Sequence, residues 1–449
     1  MHIHFMGIGG SGVSGLALIA KNLGHTVSGC DLKHSSYIEM AEKDGIKCLM
    51  GHSEEHLENV DILVYTSAVK DSEPELLAAK KREIPAITRG AFLAEILNKN
   101  KMIGIAGSHG KTSTTWMLFY ILRAMGVNAS VYAGSKSSGL SSVIGGEPWV
   151  VELDESDGSI FKANPEMLLV TNLEHEHVDF YKTSTEMHKS FENYFRQIKN
   201  AKKIIGRGYN LSDLLFSDFS ALSFPSRNEI KEKTGFENGN EMNFFLENGA
   251  WYLSYENSEW LIGEEKLPYY IIQNRSLAML SALYWCMENK IKPNPIPADF
   301  WETIPSIERR FEKKGTYKGI ELIDDYGHHP SEVEAVLEMC NARYSSFAIV
   351  FQPHRISRFT EFYNDFKKTL LNVEPLIILP VYAAGETIDG KTSKELYEEL
   401  KFSGQEVYYF NKVDEAAVFL KENWHKLIIS GIVSVGAGDV NKIFEILKP

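Results

Sequence analysis

The stretch that most restricts what this chain can fold into is GIAGSHGKT at residues 104–112, set between an apolar run, Met102–Ala106, and a helix-like run, Thr112–Met125. A strand that ends in a glycine turn and opens a helix aims backbone N–H groups and the positive end of the helix dipole at one point, where a triphosphate can sit. In that reading Gly107, Ser108, His109 and Gly110 line the cradle. Lys111 neutralises the outer phosphates, and the Thr112 hydroxyl, with Ser113 beside it, is offered to Mg²⁺. The strict phosphate-loop pattern puts a glycine at position 105, which here is Ile105. The strand-to-helix context favours the phosphate reading over a chance glycine turn.

Acidic groups follow at the carboxyl ends of further strand-like runs. Glu152, Asp154, Glu155 and Asp157 lie at the end of Trp149–Leu153, and the run from Asn172 to His177 closes Met167–Thr171. Parallel α/β sheets bind ligands at such ends. A carboxylate and an imidazole facing the phosphate turn can hold Mg²⁺ between nucleotide oxygens, although a hard cation prefers oxygen donors.

A second glycine run, GIGGSG at residues 7–12, follows the strand-like Ile3–Met6, and Asp31 stands about twenty residues on, as in the Rossmann dinucleotide pattern. Gly9, Gly10, Ser11 and Gly12 would place a pyrophosphate at a helix N-terminus, with Asp31 on a ribose hydroxyl. An NAD-dependent dehydrogenase fits that pattern, and so does an enzyme using any other diphosphate nucleotide.

At 449 residues the chain is long enough for about three domains. Strand-like and helical runs alternate to residue 97 and resume beyond a break at Asn98–Lys101. Between residues 205 and 265, polar and aromatic residues alternate, as in Asn243–Leu246 and Trp251–Tyr255, which suggests antiparallel excursions. Pro293, Pro295, Pro297 and Pro305 form a breaker-rich passage. Beyond it Glu321–Asp324, Phe347–Phe351, Leu376–Pro380 and Ile428–Val435 alternate with helical Ser331–Cys340 and Glu361–Leu371. The expected fold is α/β in three domains with mostly parallel sheets, divided as 1–98, 99–305 and 306–449.

A net charge of −13 repels a polyanionic backbone, so nucleic acid is not an expected partner. No apolar run approaches bilayer length, and Cys30, Cys48, Cys286 and Cys340 are far apart without metal-ligand spacing, which fits a reduced cytoplasm. Monomer and homodimer both remain open.

Two clusters in the last third add a different chemistry. Asp324 and Asp325 begin a run through Gly327 and His328 to Pro330, while His354, Arg355 and Arg358 follow the strand-like Phe347–Phe351. Arginines suit carboxylate or phosphoryl oxygens, and carboxylates suit ribose hydroxyls or an ammonium.

Taken in order, HFMGIGGSGVSG at 4–15, TSAV at 66–69, GSHGKT at 107–112, DESDG at 154–158, TNLEHEH at 171–177, RRF at 309–311, DDYGHHP at 324–330 and FQPHR at 351–355 resemble the Mur ligases of peptidoglycan synthesis. The likeness runs from Ile3 to Asp439. It implies an N-terminal Rossmann-like domain for a UDP-sugar, a central ATPase, and a C-terminal Rossmann-like domain that closes over ATP and brings the amino acid. On that resemblance Gly9, Gly10, Ser11, Gly12, Asp31 and Ser67 meet the UDP-sugar, whose diphosphate replaces NAD at the first turn. Lys111 contacts the γ-phosphate, Thr112 and Glu152 one Mg²⁺, and His177 a second. Asn274 is similar to an adenine-contacting asparagine, Arg310 to a phosphate contact and Asp325 to a ribose contact. His328, His354, Arg355 and Arg358 would lie near the reacting groups. Glu176, Gln273 and Leu277 depart from the family's usual Asp, His and Asn. The last two motifs imply joining of L-alanine to UDP-N-acetylmuramate through an acyl phosphate, with attachment of a preformed tripeptide as the alternative.

Overall fold

A computed structural model describes residues 1–66, 69–155, 158–173, 181, 183–198, 201–207, 221–223, 242–255 and 258–447. The chain forms two compact units, Met1–Glu264 with Ile271–Pro305, and Glu265–Tyr270 with Ser306–Pro449. The expected division at residues 98 and 99 falls inside the first unit.

Strands β1 (His2–Met6), β2 (Thr26–Asp31), β3 (Lys47–Met50), β4 (Ile62–Tyr65) and β5 (Ala86–Thr88) form a wholly parallel sheet in the order 3-2-1-4-5. Parallel neighbours need crossovers, and helices supply them, so both faces are covered and β1 is buried along nearly its whole length. The crossover Ser11–Asn22 is buried from Gly12 to Ala20 because it has two neighbours, the first sheet and a hairpin of the second.

The second sheet contains β6 (Met102–Ala106), β7 (Ser130–Ser137), β8 (Leu140–Val143), β9 (Trp149–Glu152), β10 (Met167–Asn172), β11 (Lys202–Arg207) and β12 (Ala221–Ser223), in the order 12-11-10-6-9-7-8. Only the β7–β8 hairpin pairs antiparallel. That hairpin receives the helix Ser11–Asn22 at close range: Tyr132 Oη donates to Gly12 O at 2.8 Å and Ser142 Oγ to Gly15 O at 3.2 Å. A Cβ on Gly15 would stand 2.8 Å from Ser141 Oγ, which is why glycine occupies the crossing. One continuous apolar core, from Ile3 and Leu16 to Leu168 and Phe191, joins the two sheets. The polar–aromatic alternation beyond residue 240 becomes an antiparallel meander, β13 (Met242–Glu247), β14 (Ala250–Tyr255) and β15 (Ser258–Glu264).

The second unit is built on β16 (Glu312–Tyr317), β17 (Ile320–Asp325), β18 (Phe347–Phe351), β19 (Leu376–Ile378), β20 (Val407–Tyr409) and β21 (Gly431–Val435), ordered 16-17-21-18-19-20. Only β16 runs antiparallel to its neighbour. Two expectations shift here. The helix expected over Glu361–Leu371 is Tyr363–Leu370, and a separate short helix, Ile356–Glu361, precedes it, the two parted where Phe362 leaves helical geometry and packs 4.6 Å from the His329 ring. The last strand begins at Gly431, not Ile428, which ends the helix Val413–Leu427 in left-handed backbone with φ 46°. Among the described residues no helix is long and apolar enough to cross a membrane.

Gly29 in β2 lets Ile8 and β1 approach, since a Cβ there would meet Ile8 Cδ1 at 2.6 Å and Phe5 O at 2.8 Å. Gly29→Ala is therefore expected to destabilise the first unit by about 1–3 kcal/mol. A lowered unfolding temperature would show it, whereas an unchanged one would mean that the strands yield.

Candidate active site

The phosphate turn joins β6 to the helix Lys111–Ala124, and β10, the neighbouring strand, braces it. Asn172, the last residue of β10, does most of this: its carbonyl accepts from Ser108 N (3.0 Å), its Oδ1 from His109 N (2.9 Å), and its Nδ2 donates to His109 O (3.0 Å). Thr171 Oγ1 donates to His109 O at 2.6 Å. Gly107 has φ +122°, and a Cβ on it would come within 2.6 Å of Asn172 O, so glycine is required by both backbone and neighbour. Gly110, at φ +80°, opens the helix and touches Asn274: a Cβ there would lie 2.7 Å from Asn274 Nδ2. Asn274, buried on the helix Tyr269–Glu288, thus sits against the phosphate turn itself.

Lys111 folds back over the turn, donating to Gly107 O (2.6 Å), Ser108 O (3.2 Å) and Glu155 Oε1 (2.8 Å). Glu155 is fully buried, and Tyr181 Oη donates to its backbone carbonyl at 3.1 Å. One helix residue on, Thr112 Oγ1 donates to Glu152 Oε1 at 3.0 Å, while the other oxygen of Glu152 accepts from Gly134 N at 2.6 Å. Thr112 and Glu152 present adjacent oxygen donors, the set a hard divalent cation takes. Ser113 follows on the same helix, half-buried. His177, Glu176, Asp157 and Ser67 lie outside the described residues.

The first glycine turn is tied to the acid expected to serve it. Gly9 N donates to Asp31 Oδ2 at 2.9 Å, and Ser35 Oγ to Gly9 O at 2.8 Å. Gly10 N closes the turn on Gly7 O at 3.0 Å, and Ser11 begins the helix. Gly12 leaves room for Arg89, whose Nη2 donates to Asp154 Oδ2 at 3.0 Å. Arg89 was not apparent from the sequence, because its partner is 65 residues away.

In the second unit Asp324 is buried at the end of β17, where Ser434 Oγ (2.7 Å) and Arg309 Nε (3.1 Å) donate to it. Asp325 accepts from Gly327 N (2.7 Å) on one oxygen and Phe311 N (2.8 Å) on the other, which leaves each oxygen a lone pair for a ribose hydroxyl. Burial pushes its carboxyl up to about 6, against the pull of Arg310. Arg310 lies 3.9 Å from Glu332, and Glu332 in turn accepts from His328 N (2.9 Å) at the start of the helix Pro330–Arg343. The His328 and His354 rings meet edge-on at 5.9 Å, and His354 stacks on Tyr382 at 5.6 Å. Burial depresses His328 to about 3 and His354 to about 4, with Arg358 opposing the charged form of both. Both imidazoles are consequently neutral at neutral pH.

Arg355 has φ 65° and ψ 130°, a backbone state costing a side-chain-bearing residue about 1–3 kcal/mol. It is held there by Arg355 N donating to Tyr382 O (2.8 Å) and by Nε pairing with Glu386 at 3.0 Å. Glu386 and Tyr382 carried no signal in the sequence, since neither belongs to a local motif.

A glycine turn that opens a helix beside oxygen donors for a cation is the arrangement that suits transfer of a terminal phosphoryl group. Arginines with unprotonated imidazoles on a separate sheet suit a carboxylate and an amine. The class so defined is an acid–amine ligase. Known proteins agree: the model of the Mur ligase family catalytic domain matches residues 2–101, that of the middle domain 105–245, and that of the glutamate ligase domain 309–426. The UDP-N-acetylmuramate–L-alanine ligase of Sulfurihydrogenibium sp. is 36% identical over 99% of this chain and 96% of its own. The chain belongs to the Mur ligase family. In fold it is similar to the UDP-N-acetylmuramate–alanine ligase of Thermotoga maritima (TM-score 0.74, 23% identity, covering 100% of this chain and 98% of that one). A murein peptide ligase of Psychrobacter arcticus has TM-score 0.71 at 20% identity, with the same coverage.

Asn172→Ala removes two hydrogen bonds from the phosphate turn, and nucleotide affinity is expected to fall about tenfold or more by calorimetric titration. Undiminished affinity would mean that β10 does not shape the turn. The histidines give a pH test. Unfolded chains bind their protons near 6.5, but the folded protein holds His328 and His354 neutral to about 3 and 4, so this pair withdraws stability as pH falls below 6.5. Asp325 acts oppositely between 3.8 and about 6. Ring-proton NMR should show both imidazoles neutral at pH 5, and a midpoint near 6.5 for either would contradict the burial argument.

Proposed function

We propose that the protein is an ATP- and Mg²⁺-dependent ligase that joins the lactoyl carboxylate of UDP-N-acetylmuramate to L-alanine in cytoplasmic peptidoglycan precursor synthesis. Full-length relatives that carry this activity in their names support it. The structural observation that carries it is the paired arrangement of Lys111 on Glu155 and Thr112 on Glu152 at the braced turn.

In this reading residues 1–98 take the UDP-sugar through Gly9, Gly10, Ser11, Gly12, Asp31 and Ser67. Residues 99–305 take ATP, and 306–449 serve the nucleotide and the amine. Thr112 and Glu152 would hold the cation, with His177 assigned on family resemblance to a second. When bound, Mg²⁺ supplies charge neutralisation between the outer phosphates. The carboxylate oxygen attacks the γ-phosphorus and ADP leaves. Lys111, already at the mouth of the turn, follows the charge that grows on the transferred group. The alanine nitrogen then attacks the acyl carbon, and inorganic phosphate departs with its bridging oxygen. The nitrogen must lose a proton, and the lone pair of a neutral imidazole, His328 or His354, is an acceptor for it once substrate charge offsets the burial that makes the ring a weak base. Arg355 and Arg358 provide positive charge for a carboxylate or the acyl phosphate.

Phosphate release should require UDP-N-acetylmuramate, ATP and L-alanine together. Lys111→Ala is expected to reduce turnover about a hundredfold or more while UDP-sugar affinity stays near that of the parent. Release driven by a preformed tripeptide but not by alanine would reassign the protein to cell-wall recycling. An unimpaired Lys111→Ala enzyme would refute the phosphate-turn assignment.

A further inference from the structure

A cluster of side chains that the proposed reaction leaves unused lies against the first sheet. His4 comes from β1, Cys30 from β2, His56 from the short 3-10 turn Glu54–Leu57, and Glu75 from the helix Pro74–Lys81. Their donor atoms all lie within 4.8 Å of one another. Ile3 and Phe5 face the large core shared with the second sheet, so His4, alternating with them, projects with Met6 to the opposite face. His4, Cys30 and Glu75 are wholly buried there, and His56 reaches the surface with 12% of its side chain.

Hydrogen bonds alone leave this cluster incompletely satisfied. Glu75 Oε2 accepts from Cys30 Sγ (3.2 Å), His56 Nδ1 (3.3 Å) and Ser53 N (3.3 Å). Glu75 Oε1 and His4 Nε2 approach to 2.8 Å, both buried, in poor alignment for a hydrogen bond, and the contact with His4 helps to hold the Glu75 carboxyl below its ordinary range. The proton count explains why. His2 Nδ1 can only donate to the carbonyl of Asn59 (3.0 Å), so Nε2 of a neutral His2 accepts from Ser28 Oγ (2.8 Å). That uses the hydroxyl proton, and His4 Nδ1 must then donate to Ser28 Oγ (2.7 Å). With both rings neutral, His4 Nε2 turns a lone pair toward a carboxylate oxygen 2.8 Å away, a contact that only a shared proton or a cation relieves. An imidazole whose far N–H is held by a hydrogen bond, and whose near lone pair is free, is the arrangement of a metal ligand.

We propose that His4 Nε2, a ring nitrogen of His56, Cys30 Sγ and a carboxylate oxygen of Glu75 form a site for one tetrahedral divalent metal of the zinc class, tying the 3-10 turn and the helix Pro74–Lys81 to the sheet. Metal–ligand bonds of about 2.0–2.3 Å put tetrahedral ligand atoms roughly 3.4 Å apart. The present spacings, 2.8 Å from His4 to Glu75 Oε1, 3.2 and 3.3 Å from Cys30 and His56 to Glu75 Oε2, and none beyond 4.8 Å among the four donors, bracket that separation. A thiolate with two imidazoles selects a borderline-soft ion over Mg²⁺, so this site is chemically distinct from the oxygen donors of Thr112 and Glu152.

The test uses the full-length protein, stripped with chelator and returned to buffer containing excess Mg²⁺. Cobalt(II) serves as the optical probe and zinc as the competitor. The expected result is one equivalent of cobalt giving a thiolate-to-metal charge-transfer band and tetrahedral ligand-field bands, both erased by zinc. Cys30→Ser should abolish the charge-transfer band. His56→Ala, at the least buried position, should weaken cobalt binding at least about tenfold, while Lys111→Ala binds as the parent does. Circular dichroism of each variant separates loss of the site from loss of the fold. A folded parent protein that shows no thiolate band and retains no zinc would overturn the proposal, as would bands undiminished in both variants.

Discussion

The candidate active site depends on one inter-strand contact: the end of β10 reaching across to the turn that follows β6. Asn172 engages Ser108 and His109 through three hydrogen bonds, and Gly107 is shaped by having to fit beneath it. Because β6 and β10 are register-paired neighbours, the amides of the turn are set by the sheet rather than by the loop's own preferences. Everything assigned to phosphate chemistry hangs from that frame. Lys111 and Thr112 begin a helix whose direction it determines, and Glu152 at the end of β9 and Glu155 just past it meet them from the other side of β6.

The second unit solves a different problem by similar means. His354 and Arg355 follow β18, but their orientation comes from Tyr382, which stacks on one and accepts a hydrogen bond from the backbone of the other. Burial keeps the two imidazoles uncharged, and Arg309, through Asp324 and the carbonyls of Gly436 and Gly438, locks the adjacent loops. The strained backbone at Arg355 is supported from two sides, the pattern expected where a side chain has to point in one direction.

Much of this could be read from the chain before folding. The α/β class, β6 and its helix, the antiparallel alternation near residue 245 and most strands of the second unit follow from apolar period and glycine punctuation. Local motifs also marked Lys111, Thr112, Glu152 and the histidines as a group. Partners that meet only in three dimensions left no such mark: Arg89 with Asp154, Arg355 with Glu386, Asn274 with Gly110. The cysteines are the sharpest case. Their mutual spacing excludes a cysteine-rich metal motif, but Cys30 lies among His4, His56 and Glu75, residues contributed by four separate elements. His4 in β1 and His56 in the 3-10 turn share no period that could reveal them.

The glycine helix Ser11–Asn22 is apolar on two sides, one for its own sheet and one for the β7–β8 hairpin. An excised segment ending near residue 98 would therefore expose Gly12, Gly15 and their apolar neighbours to water where Tyr132, Ser141 and Ser142 now cover them. Exchanging the first parallel sheet and its helices between relatives accordingly calls for moving the hairpin along with them. The hereditary unit of this architecture is wider than its glycine motif.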